Sequence, residues 1–262
     1  MSVLGYKEIF EYKHISLNTY LQNGGLGDVI ANYDDLEKVQ LTLNEIFNDI
    51  VWKDIIERNK IKNKEEFKKI VNYIFKTFGK KINSTNIINF LKSNKEKIIP
   101  KSTLMRYFSF ICDSMIINKV KYFNTKSKSE LSNKCKYYCG DLGLFNVING
   151  FDINDSTRNI RIENLMYLYF LEKGYEIFTY ENESGYEIDF VLRKNNTIKY
   201  IQICEKLNDE NFERETRSLL SIKDGFEKII ICAENNTIVK SVINNGVKVL
   251  DLKQVLLENI LI

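Results

Sequence analysis

Two segments in the second half of the chain have the alternation of a strand pair. Residues 186–190 alternate polar and apolar side chains, residues 199–206 do so only in part, and a turn at 194–196 separates the two segments. Because alternate side chains of a strand point to one face, this spacing predicts two adjacent strands. The same geometry places Gln202 and Cys204 side by side on the second strand.

Carboxylates accompany these strands. Glu187 and Asp189 share one face of the first strand, and Glu163 lies on a preceding helical stretch. Mg²⁺ prefers oxygen ligands and can polarise a phosphate, while a nearby ammonium orients the attacking water. Gln202 offers a metal a neutral oxygen, whereas Cys204 offers a soft sulfur. The alternative is that Asp189 and Gln202 are polar positions on a partly solvated strand.

The order of predicted elements indicates an α+β protein. Three of the four helices expected in the first half, together with a two-stranded wing, predict a winged helix-turn-helix, and an α-β-β-β-α-β order in the second half predicts a mixed sheet. Helices are expected at 36–59, 64–78, 84–92, 101–113, 160–173 and 210–221, and strands at 116–123, 136–138, 175–180, 185–191, 199–206, 228–232 and 247–250.

Composition excludes several classes of protein. Hydrophobic residues make up 44% of the chain and charged residues 28%, which is typical of a globular protein and not of a disordered one. No apolar stretch is long enough to span a membrane, so we expect a cytoplasmic protein without a membrane partner. His14 is the sole histidine, and Cys135 and Cys139 are the one closely spaced cysteine pair, which disfavours a zinc site. Cys204 and Cys232 are expected to be packing thiols.

Basic residues cluster in the first half, although the net charge is only +3. In a winged helix the helix at 101–113 enters the major groove while the wing contacts phosphates. The alternative is that this element packs against protein. The candidate nucleic-acid contacts are Lys101, Arg106, Lys126, Lys128 and Lys134.

The strand pair resembles the site of the PD-(D/E)XK nucleases. In that family a first strand ends in a metal-binding Asp, and the next carries Glu or Gln, one intervening residue and then Lys. Asp189 and Gln202 match this pattern, but Cys204 occupies the lysine position. The resemblance implies a restriction-endonuclease-like core and argues against the usual hydrolysis. Lys206, one repeat further along, is a weak substitute for the missing lysine.

The whole chain resembles the C-terminal half of bacterial and archaeal AAA+ ATPases that carry a winged helix and a nuclease-like domain. The resemblance implies a connector remnant at 1–35, a winged helix at 36–149 and a nuclease-like domain at 150–262. No P-loop is present, so no ATP binding is expected. The motifs that carry the resemblance are 24–29, 54–58, 136–144, 162–164 and 214–220, together with the Asp189 and Gln202 strands.

These observations favour a non-catalytic interaction module that binds protein or nucleic acid and needs no cofactor. Without its ATPase domain, such a chain is either a piece of a longer protein or a phage or mobile-element product that inhibits host nucleic-acid machinery, such as a defence nuclease. The alternative is a Mg²⁺-dependent nuclease. In that alternative Glu163, Asp189 and Glu187 hold the metal, Gln202 is a neutral ligand and Lys206 supplies the ammonium.

Overall fold

The computed structural model describes residues 3–82, 84–93, 99–234 and 246–260. It is an α+β structure that divides into two compact units. The first comprises Met1–Lys119 and Lys134–Ile153, and the second comprises Val120–Asn133 and Asn154–Ile262. The division after Ile153 lies close to the expected change from helical to strand periodicity. Residues 120–133, however, belong to the second unit and not to the helical one.

Helices dominate the first unit, and their buried residues recur at three- and four-residue spacing. In the helix Lys64–Lys76 the side chains of Phe67, Ile70, Val71 and Ile74 are all buried, which explains why this segment is helical. The helices of this unit are α1 (Tyr6–Lys13), α2 (Leu17–Asn23), α3 (Gly27–Ile30), α4 (Leu36–Asp49) with a π-helical continuation (Ile50–Glu57), α5 (Lys64–Lys76), α6 (Ser84–Ser93), α7 (Lys101–Asp113) and α8 (Leu142–Asn149).

Seven strands of the described residues build one mixed sheet: β1 (Ile117–Asn124), β2 (Ser129–Cys139), β3 (Glu176–Glu181), β4 (Glu187–Lys194), β5 (Thr197–Lys206), β6 (Glu227–Glu234) and β7 (Val247–Asp251). Their order is β2-β1-β3-β4-β5-β6-β7. The pairs β3–β4 and β4–β5 are antiparallel, whereas β1–β3, β5–β6 and β6–β7 are parallel. The helices of the second unit are α9 (Asp155–Glu172), α10 (Asp209–Ser221) and α11 (Leu252–Glu258).

Helices α9 and α10 cover opposite faces of this sheet. Phe170 of α9 packs its ring against Phe190, with centroids 5.4 Å apart. Leu219 of α10 instead shares a buried cluster with Val191. Because Phe190 and Val191 are neighbours on β4, their side chains point to opposite faces. The sheet therefore has an apolar layer on each side, as an α/β core requires.

The hairpin of β1 and β2 is longer than the sequence predicted. Its second strand begins at Ser129, within the segment expected to be a polar connection, and β1 pairs in parallel with β3 at Lys121 and Tyr122. The expected wing is thus part of the large sheet. In the part of the chain that the structure describes, no helix has the length and apolar character needed to cross a bilayer.

Candidate functional site

The strands β4 and β5 separate next to Asp189. Their antiparallel register ends where Phe190 lies opposite Ile201. Beyond that point β4 continues beside β3, and β5 continues beside β6. We call the opening between them the strand fork and define it by Asp189, Gln202 and Cys204. The two polar residues that the sequence singled out therefore lie where the sheet splits.

Asp189 interacts with the backbone of the diverging strand. Its Oδ2 accepts a hydrogen bond from the backbone N–H of Ile203 at 2.8 Å. A buried backbone N–H that leaves a strand ladder needs another acceptor, and this carboxylate provides one. Asp189 therefore stabilises the fork in addition to any role in binding.

Gln202 contacts a carboxylate that sequence reasoning missed. Its Nε2 donates a long hydrogen bond of 3.5 Å to Oε2 of Glu215, while its buried Oε1 accepts none from the described residues. Glu215 lies on α10 with 8% of its surface exposed, and Arg214 donates to its Oε1 at 2.7 Å. The sequence did contain a signal for Glu215. This residue lies three positions after Phe212 and four before Leu219, so it shares the core-facing side of α10 with them.

Cys204 is paired with a second cysteine. It lies in register with Cys232 on the parallel strands β5 and β6, and the two Sγ atoms are 2.9 Å apart. Both residues are buried and both thiols are free. The hydrogen bond between them, together with burial, raises the pKa of the Cys204 thiol far above its ordinary value. The sequence predicted two packing thiols but not their contact, because the register of parallel strands is not visible in the sequence.

A cavity of about 350 Å³ adjoins the fork at the carboxyl ends of β5 and β6. Its wall combines cationic, anionic and amide residues with Cys204. Two of its carboxylates, Glu205 and Glu234, pair with Arg158 of α9, at 2.6 Å and 3.8 Å. The lining residues are Asn159, Ile203, Cys204, Glu205, Lys206, Asn211, Arg214, Glu215 and Glu234.

The remaining candidate residues of the nuclease-like site lie on three different elements. Glu163 lies half-buried on α9, which covers the sheet face opposite to α10, and Glu187 is half-buried at the start of β4. Lys206 is exposed at the end of β5. In the described ranges no three histidine, cysteine or carboxylate side chains have the arrangement of a metal site. Metal binding by Glu163 and Asp189 therefore stays a prediction.

The candidate basic residues of the first half differ in whether their side chains are exposed or bound to another part of the protein. Lys101 and Arg106 are exposed on α7, and Lys126 is exposed in the β1–β2 turn. Lys128 is engaged elsewhere, since its Nζ forms an ion pair with Asp224. Phosphate contact by Lys128 stays a prediction, and it would compete with this ion pair. The side chain of Lys134 lies outside the described part of the chain.

The most distinctive glycine motifs build a buried polar knot in the first unit, which we call the Asp141 knot (Gly24, Gly25, Asp141, Gly143 and Leu144). Asp141 is fully buried; its Oδ2 accepts from the N–H of Gly25 at 2.7 Å, and its Oδ1 accepts from the N–H of Leu144 at 3.0 Å. The second of these bonds caps the N-terminus of α8. Burial raises the pKa of Asp141 to about 6.

Two glycines of the Asp141 knot are required because other parts of the chain lie very close to their backbone. A Cβ on Gly24, whose φ is +77°, would lie 2.4 Å from Oδ1 of Asp141, and one on Gly143 would lie 2.4 Å from the carbonyl oxygen of Asn23. No larger residue fits at either contact without moving the chain. The glycine motifs thus have a structural role.

Comparisons with known proteins give a family and two long relatives. The model of a domain of unknown function (DUF8612) matches residues 15–155, a range that includes the Asp141 knot. An uncharacterized protein of Haemophilus influenzae is 27% identical over 239 residues, which cover 87% of this chain and 57% of the relative. An uncharacterized protein of Methanocaldococcus jannaschii is 29% identical over 236 residues, which cover 82% of this chain and 51% of the relative.

The chain spans about half the length of these curated relatives. Among solved structures, the crystal structure of protein VC1899 from Vibrio cholerae aligns with 82% of this chain and 54% of its own, at 10% identity and a TM-score of 0.30.

Proposed function

We propose, from the premise that this chain belongs to the family defined by the domain of unknown function DUF8612, that it is a non-catalytic module for binding nucleic acid. In this proposal the second unit is a nuclease-like core, as in the C-terminal half of the AAA+ ATPases that the sequence resembles. The first unit supplies the exposed face of α7 as the nucleic-acid surface. The length of the curated relatives is compatible with a module that works beside a further domain.

The proposal that the module is non-catalytic is supported by the contacts that the three residues of the strand fork make within the protein. Asp189 accepts a backbone hydrogen bond from Ile203, Gln202 contacts Glu215, and Cys204 contacts Cys232. A hydrolytic site of this type needs carboxylates that converge on Mg²⁺ and an ammonium beside the scissile phosphate. At the lysine position this chain has a buried thiol that cannot supply a positive charge.

The binding part is supported by the exposed face of α7. Lys101 and Arg106 stand on it with Ser102 and Ser109, all of which can donate hydrogen bonds to phosphate, and Met105 is the apolar member. Such contacts position a duplex without reading its sequence. We therefore expect binding that tolerates changes of sequence and weakens steeply with salt.

A cleavage assay tests the first part. The full chain is incubated with Mg²⁺ or Mn²⁺ and with single- and double-stranded DNA and RNA, beside Asp189→Asn and Cys204→Lys. Asparagine keeps an acceptor for the N–H of Ile203, so the Asp189→Asn variant should still fold. A loss of cutting in this variant is then a loss of catalysis and not of structure. We expect no cutting by the wild type. Metal-dependent cutting that Asp189→Asn abolishes would overturn the proposal in favour of a nuclease with an altered site.

Fluorescence anisotropy with a labelled DNA duplex tests the second part. The paired variant Lys101→Glu/Arg106→Glu is expected to weaken binding at least tenfold, because two phosphate contacts become repulsive. Lys253→Glu, an exposed residue on α11, is the control for one charge reversal. Equal affinity of the wild type and the paired variant would exclude α7 as the nucleic-acid surface and leave protein as the partner class.

A further inference from the structure

The pair of thiols at the strand fork has the geometry from which a disulfide forms. Cys204 and Cys232 are direct neighbours in the parallel register of β5 and β6, so both side chains project from the same face of the sheet. Adjacent strands place paired Cα atoms within the separation that a disulfide bridges. The Sγ atoms are 2.9 Å apart, about 0.9 Å more than the length of a disulfide bond.

The two thiols differ in their access to small molecules. Cys204 lines the cavity of about 350 Å³, whereas Cys232 is absent from its wall and has 2% of its surface exposed. A reagent in the cavity therefore reacts first with Cys204. Cys232 then reacts with the modified Cys204 and not with the reagent itself.

We propose that Cys204 and Cys232 are a reversible dithiol–disulfide couple, and that a low-molecular-weight disulfide is its oxidant. The thiolate of Cys204 attacks one sulfur of the reagent, forms a mixed disulfide and expels one thiol. Cys232 then attacks the Cys204 sulfur, which forms the intramolecular bond and releases the second thiol. The two protein thiols are oxidised, and one reagent disulfide is reduced to two thiols.

This chemistry is slow near neutral pH. The hydrogen bond with Cys232 and burial raise the pKa of the Cys204 thiol, so little thiolate is available to attack. The mechanism depends on the contact between Cys204 and Cys232 and on the cavity that leads to Cys204. It is independent of whether the chain binds or cleaves nucleic acid.

The test uses the full chain in buffers of oxidised and reduced glutathione. After acid quenching, thiols are counted under denaturing conditions and disulfides are mapped by peptide mass spectrometry. We expect the five thiols to fall to three, a mass loss of two hydrogens, and one cross-linked peptide pair containing Cys204 and Cys232. Five thiols after prolonged oxidation, or a linkage confined to Cys112, Cys135 and Cys139, would overturn the proposal.

Two variants test the order of the steps. Cys232→Ser removes the second thiol, so oxidation should stop at a glutathione adduct on Cys204. Cys204→Ser removes the accessible thiol and should leave Cys232 unmodified. An adduct on Cys232 in Cys204→Ser at the wild-type rate would contradict the assigned access route. Circular dichroism establishes that each variant is folded, and the mapping of the wild type decides the linkage without them.

Discussion

At the scale of single residues, polar groups that look functional in the sequence stabilise the fold. Asp189 holds a backbone N–H at the strand fork, and Asp141 holds two N–H groups in the Asp141 knot. A carboxylate serves such positions well because it accepts several hydrogen bonds and donates none. Residue type and spacing predicted Asp189 as a site residue, but its partner Ile203 became visible only where β4 and β5 separate.

The buried carboxyl of Asp141 predicts a measurable pH dependence. Its folded pKa of about 6 exceeds the unfolded value of about 4, so its contribution to stability is fully present below about pH 4 and is lost as pH rises through about 6. The free energy of unfolding of the wild type, relative to Asp141→Asn, should increase by about 1 kcal/mol between pH 7 and pH 5.

Urea denaturation at the two pH values measures this difference. Asparagine retains one acceptor but directs an amide N–H toward a backbone N–H, so the variant itself should lose about 1–3 kcal/mol at pH 7. Asp28→Asn, at an exposed position of α3, is the control for general charge effects. A difference between wild type and Asp141→Asn that stays constant or shrinks as the pH falls would contradict the assignment.

At the scale of elements, periodicity predicted the helices and strands better than it predicted their partners. The buried positions of α5 recur with helical spacing and were predicted, as were β4 and β5. The helix α8 was missed because its signal is the cap Asp141, within a segment that was interpreted only as a family motif. The pairing of β1 with β3 joins segments far apart in sequence, and no local pattern encodes such a contact.

The β1–β2 turn predicts opposite effects for two neighbouring lysines. Lys128 pairs with Asp224 and lies over the ring of Phe226 at 5.1 Å, whereas Lys126 is exposed. Lys128→Ala should therefore lower the free energy of unfolding by about 1 kcal/mol and leave nucleic-acid affinity unchanged. Lys126→Ala should leave stability unchanged and weaken binding.

Each variant is the control for the other. Urea denaturation gives the free energy of unfolding, and anisotropy with a labelled duplex at two salt concentrations gives the affinity and its salt slope. Asp224→Ala should lower stability more than Lys128→Ala, because it also removes the acceptor of the Tyr200 hydroxyl. The double variant should lose less than the sum of the two, because both single variants remove the Lys128–Asp224 ion pair. A loss of affinity in Lys128→Ala that exceeds the loss in Lys126→Ala would contradict this division of roles.

At the scale of the whole molecule, neither compact unit is a continuous stretch of sequence. Residues 120–133 contribute to the second unit, although both neighbouring segments, up to Lys119 and from Lys134, belong to the first. The sequence predicted two consecutive domains because periodicity changes once along the chain. The sequence pattern does not show that a hairpin begins in one unit and pairs within the other, because its alternation of polar and apolar residues is that of any strand.

This interleaving predicts the behaviour of fragments. A fragment of residues 154–262 retains β3 to β7 but lacks β1, so the hydrogen-bonding edge of β3 that pairs at Phe178 and Thr179 is exposed. An unprotected edge strand promotes self-association. We expect this fragment to aggregate or to unfold at least about 10 °C below the full chain, because it lacks the hairpin's packing and the Lys128–Asp224 ion pair. Size-exclusion chromatography and thermal circular dichroism compare the two. If the fragment is monomeric and unfolds at the same temperature as the full chain, the hairpin is not an integral part of the second unit.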